Sequence, residues 1–433
     1  MDFNITKSGC QCGKEHSFES EILIGEGVIE NLPAVLNGWS VRKAFIYADM
    51  NTYAAAGKKV YQILCNSNID CKQYVFDKNE LDPDESNVGL AIMNFDPACD
   101  VIIGVGSGVI NDICKIVANV SGKKYVIVAT APSMDGFASA TSSMTKEGLK
   151  ISLNSKCADL IIGDVDILCN APEKMLLSGL GDMLAKYISI CEWRISHIIN
   201  GEYYCEEIAS IVRSSLKKCV DNADGLLKRD KNAVKAVFEG LTICGAAMKF
   251  AGLSRPASGI EHYLSHIWDM RGVEFGENVE THGLQCAVGT LISAKLYEKL
   301  VKVTPNREKA LSYVGNFNFD DWSRELIKFL GKGSKDMIAL EAKEKKYDKE
   351  KHTARLEIII ENWDEILKVI CEEVPAVSQL EELYDRIGMP KMMTKIGIDE
   401  AILPLTFKSA KDIRDKYVLP RLCWDLGIID EIV

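Results

Sequence analysis

Asp100-Val-Ile-Ile-Gly104-Val-Gly106-Ser-Gly108-Val-Ile-Asn111-Asp112 is the stretch that decides the fold. Asp100 to Val105 is a short apolar run rich in β-branched residues, as expected of a strand buried on both faces, and helical periodicity follows from Ile113 to Val120. Small residues at such a strand-to-helix turn let backbone N–H groups approach a pyrophosphate, and the helix N-terminus adds a favourable dipole. A tight turn that needs glycine only for its backbone angles is the other reading. The ordinary dinucleotide fingerprint is not met, because Val109 stands where the third glycine belongs and the strand is a late one.

Outward from this loop the same alternation of strand and helix runs from Glu21 to about Asp164. Strands are expected at Glu21 to Ile24, Lys43 to Ala48, Asp70 to Phe76 and Tyr125 to Ala129 beside the one already quoted. Beyond Ala171 the strand signal fades. Met175 to Ile199, Glu206 to Asp221, Ala233 to Ala251 and Thr281 to Leu300 repeat apolar residues at helical spacing. The expected fold is therefore an N-terminal α/β nucleotide-binding domain with a parallel sheet (residues 1–165), followed by an all-α domain (residues 166–433). The charged stretch from Val303 to His352 reads as a solvated helix face or a peripheral insertion.

Two further features lie at the ends of expected strands. Lys43 to Ala48 runs into Asp49, whose carboxylate can accept both ribose hydroxyls of adenosine and repel a 2′-phosphate, favouring NAD over NADP; a helix cap for Asn51 onward is the competing reading. Tyr125 to Ala129 runs into Thr130-Ala-Pro-Ser133-Met-Asp135-Gly136, with Ser139 close behind. Hydroxyls and a carboxylate gathered at the carboxyl end of a parallel strand stand where open α/β sheets bind ligands.

Of the six histidines in the chain, three cluster: His262, His266 and His282. His262 and His266 share one face if Ser258 to His266 is helical. Two imidazoles and a carboxylate around a divalent ion would leave positions open for substrate, unlike a closed structural site. The carboxylate candidate is Asp182 in Gly181-Asp-Met-Leu-Ala-Lys186, where a buried charge needs a metal or Lys186 to offset it. Three imidazoles near one another by chance, and an Asp182/Lys186 pair one turn apart, are the bland alternatives.

The net charge of −11 argues against a general nucleic-acid role, which requires a concentrated basic face. No segment reaches the roughly 18 apolar residues of a membrane span, and Met1 to Phe18 has no signal-like apolar run, so a cytoplasmic protein is expected. The fifteen cysteines are odd in number and mostly single within apolar stretches, which fits reduced core thiols. The local exception is Cys10-Gln-Cys12 with His16, either a metal-binding cluster or a mobile tail.

In this order, Gly106 to Asp112, Thr130 to Gly136, Gly181 to Lys186, Ser258 to His266 and Thr281-His282-Gly283 resemble the family of glycerol dehydrogenases, dehydroquinate synthases and iron-dependent alcohol dehydrogenases. The nearest resemblance is to its sn-glycerol-1-phosphate dehydrogenase branch, bacterial type, with a dehydroquinate synthase-like fold. The resemblance implies that Asp49, Gly106, Ser107, Gly108, Val109, Ile110, Asn111, Thr130, Ser133 and Ser139 contact NAD(P)H, with NAD(H) preferred. It implies Asp182, His262 and His282 as ligands of one zinc, nickel or iron ion, and Asp135, Asp182 and His266 as catalytic residues touching substrate. The reaction implied is reversible reduction of dihydroxyacetone phosphate to sn-glycerol 1-phosphate by a homodimer. The alternatives are a glycerol dehydrogenase using the unphosphorylated polyol, a lyase using NAD transiently, or a non-catalytic nucleotide sensor.

Overall fold

A computed structural model describes residues 9–78, 81–146, 149–277 and 280–433. The expectation drawn from Met1 to Phe18 falls partly on residues 1–8, outside the described residues. Among the described residues eight strands form: β1 (Glu21–Gly25), β2 (Lys43–Asp49), β3 (Asp70–Phe76), β4 (Val101–Gly106), β5 (Lys124–Ala129), β6 (Thr141–Lys146), β7 (Leu149–Asn154) and β8 (Leu160–Asp164). Six make one sheet in the order β1-β8-β5-β4-β2-β3, every pairing parallel. β6 and β7 form a separate antiparallel hairpin.

All five expected strands are present, and β8 and the hairpin are additional. β4 and β8 are buried along their whole length, as parallel strands covered on both faces must be. Their side chains join Ile46, Ala48 and Val126 in one apolar core with helix residues such as Leu36, Val60 and Leu64. Because the sheet is parallel, Asp49, Gly106 and Ala129 all sit at its carboxyl edge.

The chain divides into two compact units, and the division is not the single cut after residue 165 expected from the fading strand signal. The first comprises Met1–Met183 and Ser210–Leu253; the second, Leu184–Ala209 and Ser254–Val433. Helix α1 (Gly108–Ser121) follows β4, whereas α2 (Glu173–Leu184) and α3 (Lys231–Ala251) lie beyond residue 165, in the later sequence that the sheet unit reclaims. Phe238 of α3 lies so close to Gly163 of β8 that a Cβ there would stand 2.1 Å from the ring, and Phe137 packs on Phe238 at 5.1 Å between centroids. Helical periodicity alone says nothing about which partner a helix will choose.

The second unit is helical and includes α4 (Ile260–Phe275) and α5 (His282–Leu300). Here the segment Val303 to His352 departs from the expected solvated insertion. Its helices at Phe319–Leu330 and Ser334–Glu344 bury Trp322, Leu326, Phe329, Leu330 and Met337 against Ile267 of α4. The spacing 322, 326, 329, 330 is an amphipathic stripe that the surrounding charges mask in a composition count. Even some of the charges are interior: Arg421 donates to Glu341 (3.0 Å) and Asp412 (2.9 Å), and Asp412 also accepts from Trp322 Nε1 (2.6 Å) and Tyr347 (2.8 Å). Among the described residues no helix is long and apolar enough to cross a membrane.

Candidate active site

In the sheet unit the candidate residues gather where β2, β4 and β5 end. β4 closes at Gly106, Ser107 stands at the N-cap of α1, and the helix begins at Gly108. Gly106 is needed for packing, since a Cβ there would lie 2.6 Å from Ile110. Gly108 is different: its added Cβ would meet only Met134, at 3.6 Å. The backbone at Gly108 is therefore open to a ligand, with the α1 N-terminus behind it.

Ser107 Oγ and Ser133 Oγ lie 2.5 Å apart, joining the first loop to the Thr130–Asp135 loop, and the Thr130 N–H donates to the Gly106 carbonyl (3.1 Å). Asn111 has both ends of its amide engaged, donating to the Gly136 carbonyl (3.1 Å) and accepting from Tyr125 (2.9 Å). Ser139 Oγ lies within donating distance of the Gly136 and Thr141 carbonyls (3.2 and 3.1 Å), which share its one hydroxyl hydrogen, and accepts from Lys115 (3.1 Å). The structure thus gives Asn111 and Ser139 a loop-bracing task. Lys115 was missed from sequence; fully buried on α1, it binds the Gly136 and Thr141 carbonyls, and burial holds its ammonium below the usual lysine range.

Asp49 realises the helix-cap alternative. Its Oδ1 accepts the Thr52 N–H (2.9 Å), while the Thr52 hydroxyl accepts the Asp49 N–H (3.0 Å), a reciprocal capping box. One carboxylate oxygen suffices for the cap, so the cap and a ribose contact are compatible. Asp182 is fully buried near the end of α2, and its Oδ2 accepts the Asp135 N–H (2.9 Å). Ser178, one turn earlier, donates to the Ser133 carbonyl (3.0 Å). The side chain of Asp135 is half-buried at the loop tip.

In the helical unit, α4 and the start of α5 bring the three histidines together. The ring centroids of His262 and His282 are 5.0 Å apart, and His266 stacks on His282 at 6.1 Å. His262 Nδ1 is 2.8 Å from Oε1 of the fully buried Glu261, a residue that the sequence reading passed over. A carboxylate holding Nδ1–H fixes the tautomer that presents Nε2 as a lone-pair donor, the usual outer partner of a metal-binding imidazole. His282 Nδ1 lies 3.1 Å from the Ser265 hydroxyl, and its Nε2 is 3.5 Å from Cys286 Sγ. Burial alone would push the Cys286 thiol up, but His262 and His282 more than offset it and hold the thiol below its ordinary value. These nitrogen and sulfur donors, with an oriented imidazole among them, fit a borderline or soft divalent ion. Lys186 Nζ donates to the Ala257 carbonyl (2.9 Å).

Behind Glu261 lies a second buried carboxylate, Glu192, which accepts the Ile260 and Leu419 N–H groups (2.8 and 2.7 Å). Burial, and then the nearby Glu261, pushes its carboxyl up to about 8. The folded state therefore favours the protonated form, so this contribution to stability is full below the ordinary carboxylate value and is lost as pH rises through about 8. Melting temperatures of the wild type and Glu192→Gln between pH 5 and 8.5 should differ in slope, with the variant flatter. Parallel curves would refute the assignment.

Residues 23–172 match the family described as iron-containing alcohol dehydrogenase. The chain is 31% identical over 430 residues to a Bacillus licheniformis protein named glycerol-1-phosphate dehydrogenase, NAD(P)+, an alignment covering 98% of this chain and 94% of that one. A protein of the same name from Halalkalibacterium halodurans is 28% identical over 95% of this chain and 94% of its own. Among solved structures, a glycerol dehydrogenase from Schizosaccharomyces pombe superposes with a TM-score of 0.62 at 16% identity, covering 97% of this chain and 91% of that one. An iron-containing alcohol dehydrogenase from Thermococcus thioreducens gives 0.62 at 12% identity, covering 95% and 98%. The structural likenesses show a shared fold.

Proposed function

The chain belongs to the glycerol-1-phosphate dehydrogenase family, and from that premise we propose that it transfers hydride reversibly between NAD(P)H and the carbonyl carbon of dihydroxyacetone phosphate, giving sn-glycerol 1-phosphate. The observation that carries the reading is the Glu261–His262 contact beside His282, an arrangement that prepares imidazole nitrogens to bind an ion. We assign Asp182, His262 and His282 as metal ligands, and Asp135, Asp182 and His266 as substrate contacts. Asp49, Gly106 to Asn111, Thr130, Ser133 and Ser139 form the cofactor site, with Asn111 and Ser139 shaping it through the contacts they brace. We also propose a cytoplasmic homodimer.

When bound, zinc, nickel or iron would supply Lewis acidity to the substrate carbonyl oxygen. The chain's own residues position the reactants. Glu261 keeps His262 in the donor tautomer, and the Asp135 N–H holds the Asp182 carboxylate in one orientation. Gly108 and the first turn of α1 offer backbone N–H groups to the pyrophosphate. Asp135, half-buried at its loop tip, is our candidate to exchange a proton with the substrate oxygen.

The test is NADH oxidation by metal-stripped protein reconstituted in turn with zinc, nickel and iron. Metal-dependent turnover confined to dihydroxyacetone phosphate is expected; preference for dihydroxyacetone would make the protein a glycerol dehydrogenase, and no turnover with any metal would sink the reading. Cofactor preference is tested with Asp49→Asn, which keeps a capping acceptor and removes the charge. We expect the NADH:NADPH ratio of kcat/KM to fall about tenfold, equivalent to about 1.4 kcal/mol, while stability stays near that of the wild type. An unchanged ratio would leave Asp49 as a cap alone.

A further inference from the structure

The dehydrogenase site leaves Cys10-Gln-Cys12 and His16 without a task. Gly13, at φ +77°, turns the chain so that its N–H donates to the Cys10 carbonyl (2.9 Å). Cys10 and His16 are buried and Cys12 is half-buried. The two sulfurs and a His16 ring nitrogen lie within 4.8 Å of one another, with Cys12 Sγ 3.3 Å from His16 Nε2.

The tautomer follows from the other side of the ring. His16 Nδ1 is 3.3 Å from the Phe250 carbonyl, which can only accept, so Nδ1 carries the proton and Nε2 presents its lone pair towards the thiols. Zinc bonds of about 2.3 Å to sulfur and about 2.05 Å to imidazole place sulfur and nitrogen about 3.6 Å apart on a tetrahedron, near the separation found.

We propose that Cys10, Cys12 and His16 bind a structural zinc ion, additional to the ion of the dehydrogenase site. Two thiolates make the site soft and so favour zinc over iron or magnesium, and the Phe250 carbonyl is the outer partner that orients the ligating imidazole. Phe250 lies in the last turn of α3, where Phe18 also packs edge-on to it at 6.3 Å between centroids. The ion would thus clip the N-terminal segment onto the helix whose Gly245 faces the Asp135 carbonyl, where a Cβ would come within 2.8 Å. Its role is to hold structure, with no part in hydride transfer.

The test uses the full chain carrying His262→Ala and His282→Ala, loaded with cobalt(II) as a spectroscopic substitute. We expect one bound cobalt per chain with thiolate-to-metal charge-transfer absorption in the near ultraviolet, and loss of both on adding Cys12→Ser. His16→Cys should keep the ion and intensify the absorption, a result available even if the serine variant folds poorly. In the otherwise unaltered protein, Cys12→Ser should lower the Tm while retaining turnover. Absence of cobalt in the double-histidine variant, absorption that survives Cys12→Ser, or absorption indifferent to His16→Cys would each overturn the assignment. Zinc-edge X-ray absorption on the same variant should show at least two sulfurs and one imidazole; a site of oxygen and nitrogen alone would also overturn it.

Discussion

His282→Ala is expected to lose one equivalent of bound metal and to reduce turnover with dihydroxyacetone phosphate on the order of 10³-fold, because Lewis-acid stabilisation of the developing alkoxide is worth several kcal/mol. His262→Ala should do the same. Glu261→Gln separates orientation from ligation: it removes the carboxylate charge facing His262 Nδ1 and leaves both imidazoles in place. Its expected effect is a roughly 10- to 100-fold weaker metal affinity, with turnover recovered at high metal concentration. Metal content after dialysis and NADH oxidation against added zinc measure both effects. A His282→Ala protein with full metal content and full turnover would remove His282 from the site.

The second large effect is expected at Gly179. A Cβ there would lie 1.8 Å from the Pro132 carbonyl oxygen, a backbone atom that cannot rotate away. On either side of it, Ser178 holds the Ser133 carbonyl and Asp182 accepts the Asp135 N–H, so Gly179→Ala must part α2 from the loop that carries Ser133 and Asp135. We expect a loss of about 3 kcal/mol in stability from overpacking, with a fall in kcat in the protein that remains folded. Gly108→Ala is the contrasting variant. Its Cβ meets only a flexible methionine at 3.6 Å, so stability should hold while the KM for the nucleotide rises. Urea unfolding and nucleotide titration read the two; equal stability in both variants would refute the packing argument.

Much of this was legible from the chain because burial and period leave direct marks. Val-Ile-Ile before Gly104 read as a covered strand, and His262, His266 and His282 stood out by their clustering. β8 was missed because Leu160 to Asp164 is five residues long, without alternation, and runs straight into a helix. The β6–β7 hairpin was missed because Thr141 to Lys146 is nearly all polar. Glu261, Lys115 and Cys286 carry no local signal; each acquires its role only when distant segments converge, as Lys115 does at the Gly136 and Thr141 carbonyls. Asp49 shows a different limit. A cap and a ribose acceptor ask for the same side chain at the same strand end, so residue type cannot separate them.

The division of the chain into units has a consequence for its birth on the ribosome. The sheet unit lacks its last helix until Leu253 has been made, although its first 183 residues are contiguous, and the segment Leu184–Ala209 emerges before the bulk of the unit it belongs to. The long helix at Lys186–Asn200 must then wait, with Glu192 unburied, for Ile260 and finally for Leu419, whose N–H groups that carboxylate accepts. Synthesis from the N-terminus therefore completes the sheet unit first and leaves the Glu192 carboxylate without its Leu419 partner until nearly the last residues arrive. Truncation near the C-terminus should accordingly be felt at the oldest helix of the second unit as well as at the cut end.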